Sequence, residues 1–338
     1  MERLSKQELT QLIKDGMENG NDALMRQAGT VRAENFGNRV FVRGLIEISN
    51  YCKQNCFYCG IRKDNKAILR YRLTKSQILS CCETGYQLGL RTFVLQGGED
   101  DFFDVRCMTD IISEIRGKYP ECAITLSLGE KDENTYREYF TAGANRYLLR
   151  HESANEQHYS RLHPKSQTLE NRKRCLYSLK KIGFQTGAGF MIGSPFQTPE
   201  TLADDILFLK ALEPHMVGIG PFIPSASTPF KNQSAGTLEQ TLFMISLVRV
   251  LLPLTLMPST TALGSISPNG RELGLLAGAN VVMPNLSPCE IRSNYAIYDN
   301  KLSLGLEAVE GLSMLESKLK DSGFCIDYSR GDSLFMPK

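Results

Sequence analysis

The sequence predicts an α/β fold, a complete (β/α)8 TIM-type barrel with a helical extension before it and a helix after it. Three observations predict it. Eight apolar runs of strand length alternate with seven segments of helical pattern. The helical segments start at good capping residues and stop at glycines. The polar residues that interrupt the apolar runs fall at the C-terminal ends of those runs, where barrel enzymes keep their chemistry. A doubly wound open sheet is the alternative reading of the same alternation.

In order, residues 1–39 read as an N-terminal helical extension. The strand-like runs are Val40–Ile48, Thr92–Leu95, Ala123–Leu128, Arg146–Arg150, Thr186–Ile192, Met216–Phe222, Leu256–Thr261 and Asn280–Met283. Between them lie the predicted helices Lys75–Leu88, Asp104–Lys118, Glu133–Ala142, Glu170–Ile182, Pro199–Leu212, Leu238–Leu252 and Asn269–Ala277. Thr74 and Thr198 precede two of these as N-caps, the second with proline at the first helical position. Gly89, Gly143, Gly183 and Gly278 stand where helices should end. Leu302–Leu319 is the predicted C-terminal helix. With no Pro/Ser/Gly-rich linker, the barrel is expected over 40–300 as one domain, with 301–338 as a tail packed on it.

Composition excludes several classes. A net charge of +2 implies no nucleic-acid partner. The N-terminus, Met1-Glu2-Arg3-Leu4-Ser5-Lys6, has no signal-peptide core. The longest apolar stretch, near Phe243 to Leu256, is too short to span a bilayer and is broken by Arg249 and Pro253, so no membrane is expected. Ten scattered cysteines do not read as a disulfide framework and point to a reducing cytoplasm.

Cys52, Cys56 and Cys59 are the most informative residues. Three thiolates can hold three irons of a [4Fe–4S] cube and leave the fourth iron open. A zinc staple would want two separated ligand pairs, and no second pair follows at such spacing. The C-x3-C-x2-C spacing with Tyr58 before the last cysteine resembles the radical S-adenosylmethionine (SAM) superfamily, in which the open iron chelates SAM. Gln96-Gly97-Gly98-Glu99 ends the second run, with glycines where a backbone comes close to a neighbour. Glu130 and Glu152 stand at strand ends, able to accept hydrogen bonds from ribose or ammonium groups. Arg150 and Arg172 have the planar fork that suits a carboxylate. Gly187-Ala188-Gly189 lies within a strand, so it is no Rossmann turn; small residues there would let a flat ligand lie against the backbone. No Walker loop and no zinc-hydrolase histidine pattern is present, and His151 reads as a structural hydrogen-bonder.

Beyond the cysteines, several segments resemble the HydE family of [FeFe]-hydrogenase maturases, in the biotin synthase-like branch. They are Cys56 to Asn65, Arg70-Tyr71-Arg72, Leu95 to Asp100, Thr125 to Glu130, Arg146 to Glu152, Gly187 to Gly189, Val217 to Pro224, Thr260 to Ala262 and Val282 to Asn285. The resemblance implies one cluster on Cys52, Cys56 and Cys59. It implies SAM bound by Tyr58, Gln96, Gly97, Gly98, Glu99, Ser127, Glu130, Glu152, Arg172 and Met191, and cleaved to a 5′-deoxyadenosyl radical. Thr260, Thr261, Met283, Tyr295 and Tyr298 match the family's substrate cavity, and Arg150 is expected to bind substrate with them. The implied substrate is a small organometallic or amino-acid-derived precursor in H-cluster assembly. A reduced electron carrier and, transiently, other maturases are the implied partners. Some family members carry a second cysteine trio after the last barrel strand; this sequence does not, so no second cluster is expected, which also argues against biotin synthase. A methylornithine synthase-like mutase is the rival enzyme. A non-enzymatic iron–sulfur carrier is the rival of another class.

Overall fold

The computed structural model describes residues 4–301 and 308–335. Two helices, α1 (Lys6–Asn19) and α2 (Asp22–Phe36), precede β1 (Arg39–Val42) and β2 (Gly44–Ser49). Alternation follows: α3 (Lys75–Gln87), β3 (Thr92–Gly97), α4 (Val105–Lys118), β4 (Ala123–Ser127), α5 (Glu133–Thr141), β5 (Arg146–Leu148), α6 (Glu156–Leu162), α7 (Leu169–Ile182), β6 (Gln185–Ile192), α8 (Pro199–Leu212) and β7 (Met216–Pro221). The remainder is α9 (Leu238–Leu251), α10 (Thr261–Ile266), α11 (Gly270–Leu276), β8 (Val281–Val282), α12 (Cys289–Arg292), α13 (Ala308–Asp321) and β9 (Cys325–Asp327).

Strands β2 to β7 form a six-stranded parallel sheet in sequence order, and β1 lies between β8 and β9 in a three-stranded parallel sheet. This is the parallel α/β fold that the alternation predicts, with two changes. The expected first strand breaks at Arg43, which is buried and donates to the Met216 sulfur at 3.1 Å. The expected strand Leu256–Thr261 does not form: Leu256 and Pro258 contribute only isolated parallel bridges, to Met216 and Val281. Pro258 has no N–H for a ladder, and Thr260 already stands at the N-cap position of α10. A further parallel bridge joins Leu45 to Asn285.

Local chemistry explains the helix ends. Thr74 and Gln77 cap α3 reciprocally, as Thr198 and Thr201 cap α8 ahead of Pro199. Gly183 ends α7 at φ +109°, a backbone state that side chains resist. Helices α1 and α2 pack on α8, α9 and α11. A Cβ at Gly16 would lie 2.0 Å from the Phe243 ring, so α1 can sit directly on that side chain. Burying such a phenylalanine contributes about 1.5–3 kcal/mol. Among the described residues, no helix is long and apolar enough to cross a membrane. The helix expected over Leu302–Leu319 is seen as α13; residues 302–307 lie outside the described residues.

At the N-terminal ends of the strands, fully buried Arg146 donates to Gln185 at 3.2 Å, Thr92 at 3.2 Å, the Arg330 carbonyl at 2.7 Å and Asp332 at 2.8 Å. The segment after β9 is thereby fastened across that end of the sheet.

Candidate functional site

The three cysteines lie on the long loop from β2 to α3. Its backbone is held from several sides: Lys53 N–H donates to the Glu99 carbonyl at 2.9 Å, Phe57 N–H to Leu162 at 2.9 Å and Gly60 N–H to Ile297 at 2.8 Å. Arg70, further along the same loop, clamps it. Its guanidinium donates to the carbonyls of Asn50, Ile61 (2.8 Å), Arg62 (2.7 Å) and Asn65 (3.0 Å). The Cys52 sulfur accepts from the Glu99 N–H at 3.4 Å, and the Cys56 thiol donates to Gln167 at 3.2 Å. Burial, reinforced by the neighbouring sulfurs, raises the Cys56 thiol and pushes Cys59 up to about 12; burial also raises Cys52. Three thiols so placed would ionise together only against a compensating cation, of the kind a bound metal supplies. Among the described residues, no three His, Cys, Asp or Glu side chains gather as they would around a single metal ion.

The residues after β3 serve this loop. A Cβ on Gly98 would fall 2.2 Å from the Tyr51 carbonyl oxygen and 2.7 Å from the Cys52 Cβ, so glycine lets the two backbones touch. The Glu99 carboxylate accepts from Gln54 at 2.7 Å and from the Glu130 N–H at 3.0 Å, tying the β3, β4 and cysteine loops together. Gln96 reaches the Tyr295 hydroxyl at 3.4 Å, and Gly97 continues the β2 ladder opposite Ser49. Ser127 ends β4, half-buried. Tyr58 meets His163 at 3.2 Å, and its ring packs with that of Phe57 on Met191, Phe222 and Phe230. Burial holds the Tyr58 phenol well above its usual range.

Arg172 and Glu130 form a buried ion pair at 2.5 Å. Asn171 donates to the same carboxylate at 2.6 Å, and Arg172 reaches the Arg150 carbonyl at 2.5 Å. These groups brace strand ends. Arg150 and Glu152 differ. They approach to 3.0 Å without hydrogen-bond alignment, and Glu152 sits at φ +62°. Among the described residues, Arg150 Nε and Nη2, Glu152 Oε2 and Thr260 Oγ1 are buried with no hydrogen-bond partner. Strand β7 makes room for Thr260: a Cβ at Gly220 would lie 2.9 Å from the Thr260 Oγ1, whereas one at Gly218 would meet the Arg150 Cδ at an ordinary 3.9 Å. Buried polar atoms without partners cost about 1–3 kcal/mol each, so a polar ligand fits here. Burial raises the Tyr298 phenol, against a hydrogen bond with Ser265 and the nearby charges of Arg271 and Arg150. Thr261 accepts weakly from Arg271 at 3.5 Å.

One expectation changes. Gly187 and Gly189 make room for protein: a Cβ would meet Leu148 and Met216 at the first, and the Gly218 carbonyl at 2.0 Å at the second. The glycines allow close strand packing, so the flat-ligand role is dropped. Half-buried Met283 packs against the cluster of Phe36, Phe41, Met216, Leu256 and Val281.

Sequence reading missed other residues. Buried Glu47 takes Lys301 and Asn285 (2.9 Å), joining β2 to the chain after β8. Arg70, Gln167 and His163 hold the cysteine loop; only Arg70, inside a motif already quoted, carried any signal.

A family model described as the radical SAM superfamily matches residues 46–209. The chain is 45% identical to the [FeFe] hydrogenase maturase subunit HydE of Thermotoga maritima over 89% of its own length and 87% of that protein. It is 29% identical to 3-methylornithine synthase of Methanosarcina barkeri, over 89% and 85% of the two chains. The crystal structure of a methylornithine synthase superposes with a TM-score of 0.84 at 26% identity, covering 96% of this chain and 94% of that one.

Proposed function

Because the chain belongs to the HydE family of radical SAM hydrogenase maturases, we propose that it cleaves SAM reductively and directs the radical to a small sulfur- or iron-containing precursor in H-cluster assembly. The chain is a radical SAM enzyme of the maturase type, and its family implies a [4Fe–4S] cluster and SAM. The observation that carries the reading is the clamped trio Cys52, Cys56 and Cys59 beside strand ends bearing unpartnered buried polar atoms. When bound, such a cluster supplies the electron that splits SAM to methionine and a 5′-deoxyadenosyl radical. The chain's own residues then bind, orient and exclude water.

Glu152, with Gln96, Ser127 and the backbone of Gly97 and Gly98, faces the nucleoside and ammonium of SAM. Tyr58 and Met191 form the apolar wall. Glu99, Glu130 and Arg172 act one step back, by fixing the loops that carry these contacts. Arg150, Thr260, Thr261, Tyr295 and Tyr298 line the substrate side, where Arg150 and Thr260 supply donors to an anionic group. Met283 shapes the layer below.

We further propose that the bridges through Leu256, Pro258 and Asn285 complete a closed barrel over 40–300, on which 1–39 and 301–338 pack. One cluster is expected and no second. The partners are a reduced electron carrier and, transiently, other maturases, in a reducing cytoplasm. The likeness to methylornithine synthase supports one alternative, a carbon-skeleton mutase; methylornithine formed from lysine would establish it instead. The test is anaerobic reconstitution with iron and sulfide, then EPR with and without SAM. A [4Fe–4S]+ signal that SAM perturbs, with 5′-deoxyadenosine formed, is expected. A signal indifferent to SAM would make the protein a carrier, and zinc without iron would overturn the reading.

A further inference from the structure

Residues 61–65 fold back on the part of the loop that carries the half-buried cysteines. Lys63 N–H donates to the Gln54 carbonyl at 2.8 Å and Arg62 N–H to the Cys59 carbonyl at 3.1 Å. Arg70 draws residues 61 to 65 inward through their carbonyls. The loop turns outward Lys63, Lys66 and Leu69, with Asp64 between the lysines also exposed. Leu69 is 71% exposed, the highest value among the exposed large hydrophobic residues, and Phe102 is 57% exposed. Phe102 flanks one stack, in which Arg72 lies 3.8 Å over the Tyr51 ring and 4.9 Å from the Phe102 ring, and the Leu69 carbonyl accepts from Asn50 at 2.8 Å. The carboxylates nearby are already engaged. Asp100 holds Arg72 at 2.7 Å, Asp101 holds Lys53 at 2.8 Å, and Asp64 accepts from Asn55 at 2.6 Å. Lys63 and Lys66 are exposed, and neither ammonium has a carboxylate partner among the described residues. The Lys66 ammonium points only at the Lys63 carbonyl, 3.5 Å away.

We propose that Lys63, Lys66, Leu69 and Phe102 form the docking surface for an acidic one-electron carrier protein. The inference rests on the cysteines holding a cluster. The carrier would lose one electron and the oxidised cluster would gain it across the loop that carries the cysteines. Exposed apolar tips exclude water at the contact, and the free ammonium groups steer an acidic partner.

The test uses the reconstituted full chain and two variants, Lys63→Glu/Lys66→Glu and Leu69→Ser. The rate of 5′-deoxyadenosine formation is followed with a photoreduced acidic flavodoxin and, separately, with dithionite. With dithionite, both variants should match the unaltered protein. With flavodoxin, the charge-reversed variant should lose about tenfold or more in kcat/KM for the carrier, and the unaltered protein should lose rate as salt rises. Equal flavodoxin-driven rates in the charge-reversed and unaltered proteins would overturn the docking surface. An unaltered protein that holds its cluster yet cleaves no SAM with dithionite would overturn the enzymatic reading, and the docking proposal with it.

Discussion

Replacing Gly98 by alanine tests the contact between the β3 end and the cysteine loop. The added Cβ would stand 2.2 Å from the Tyr51 carbonyl oxygen and 2.7 Å from the Cys52 Cβ. The first is more than an ångström inside ordinary 3.4 Å contact, and both neighbours belong to or adjoin the backbone, so neither can swing away. The loop must shift, carrying the Cys52 sulfur and its bond from the Glu99 N–H with it. Overpacking of this kind costs about 1–3 kcal/mol. A displacement near 1 Å at a reacting centre costs on the order of a hundredfold in rate. Gly97→Ala is the control: its Cβ would meet the Ser49 carbonyl oxygen at 3.3 Å and Ile48 at 3.4 Å, which a few tenths of an ångström relieve. The assay measures iron per chain, the EPR signal and 5′-deoxyadenosine formation in both variants. Gly98→Ala should lose iron and about two orders of magnitude in cleavage, whereas Gly97→Ala stays within a few-fold of the unaltered protein. The steric argument fails if Gly98→Ala behaves normally, or if the two variants suffer equally.

Three further outcomes follow from the same geometry. Arg70→Lys keeps the charge but cannot span four carbonyls, so reconstituted iron per chain should fall; iron equal to that of the unaltered protein would refute the clamp. Glu130→Gln leaves Arg172 buried without its anion and should cost about 3–5 kcal/mol in urea unfolding, with Glu130→Gln/Arg172→Met recovering part of it; a loss under about 1 kcal/mol would contradict the pairing. His151 is fully buried, and burial, with Arg150, Arg172 and Lys173 nearby, depresses its imidazole to about 3. The unfolded chain therefore binds a proton below about pH 6.5 that the folded chain refuses, and stability falls as pH drops through that window. His151→Gln should flatten that fall between about pH 6.5 and 4, while buried Asp205, 3.3 Å from the ring, titrates in both proteins. Equal slopes in urea midpoints at pH 6.5 and 5.5 would show that the imidazole is not the source.

Local features were legible in the sequence because they are local. Caps at Thr74 and Thr198, helix stops at Gly89, Gly143 and Gly183, and the cysteine spacing each occupy a few consecutive residues. Strand-end polarity placed Arg150, Glu152 and Thr260 together before any geometry was known. Roles within the site were less legible. Glu99 and Arg172 have the chemistry of ligand contacts, yet their partners are Gln54, the Glu130 N–H, Glu130 and the Arg150 carbonyl. The glycines of β6 serve the neighbouring strand, since only pairing reveals what a missing side chain makes room for. Glu47 with Lys301, and Arg146 with Asp332, join residues too far apart for periodicity to report.

The position of β1 between β8 and β9 has a consequence for how the chain is made. Sheet β2 to β7 adds each strand beside the one just synthesised, so it can assemble as the ribosome advances. Strand β1 emerges first of all the strands, yet its partners, near Val281 and Cys325, emerge last. Its two unpaired edges wait through most of translation, a state prone to wrong pairing. Nascent chains stalled before residue 281 should show β1 unprotected in pulsed hydrogen exchange while β3 and β4 are already protected. Chaperone supply would then govern yield more than codon choice within the middle strands.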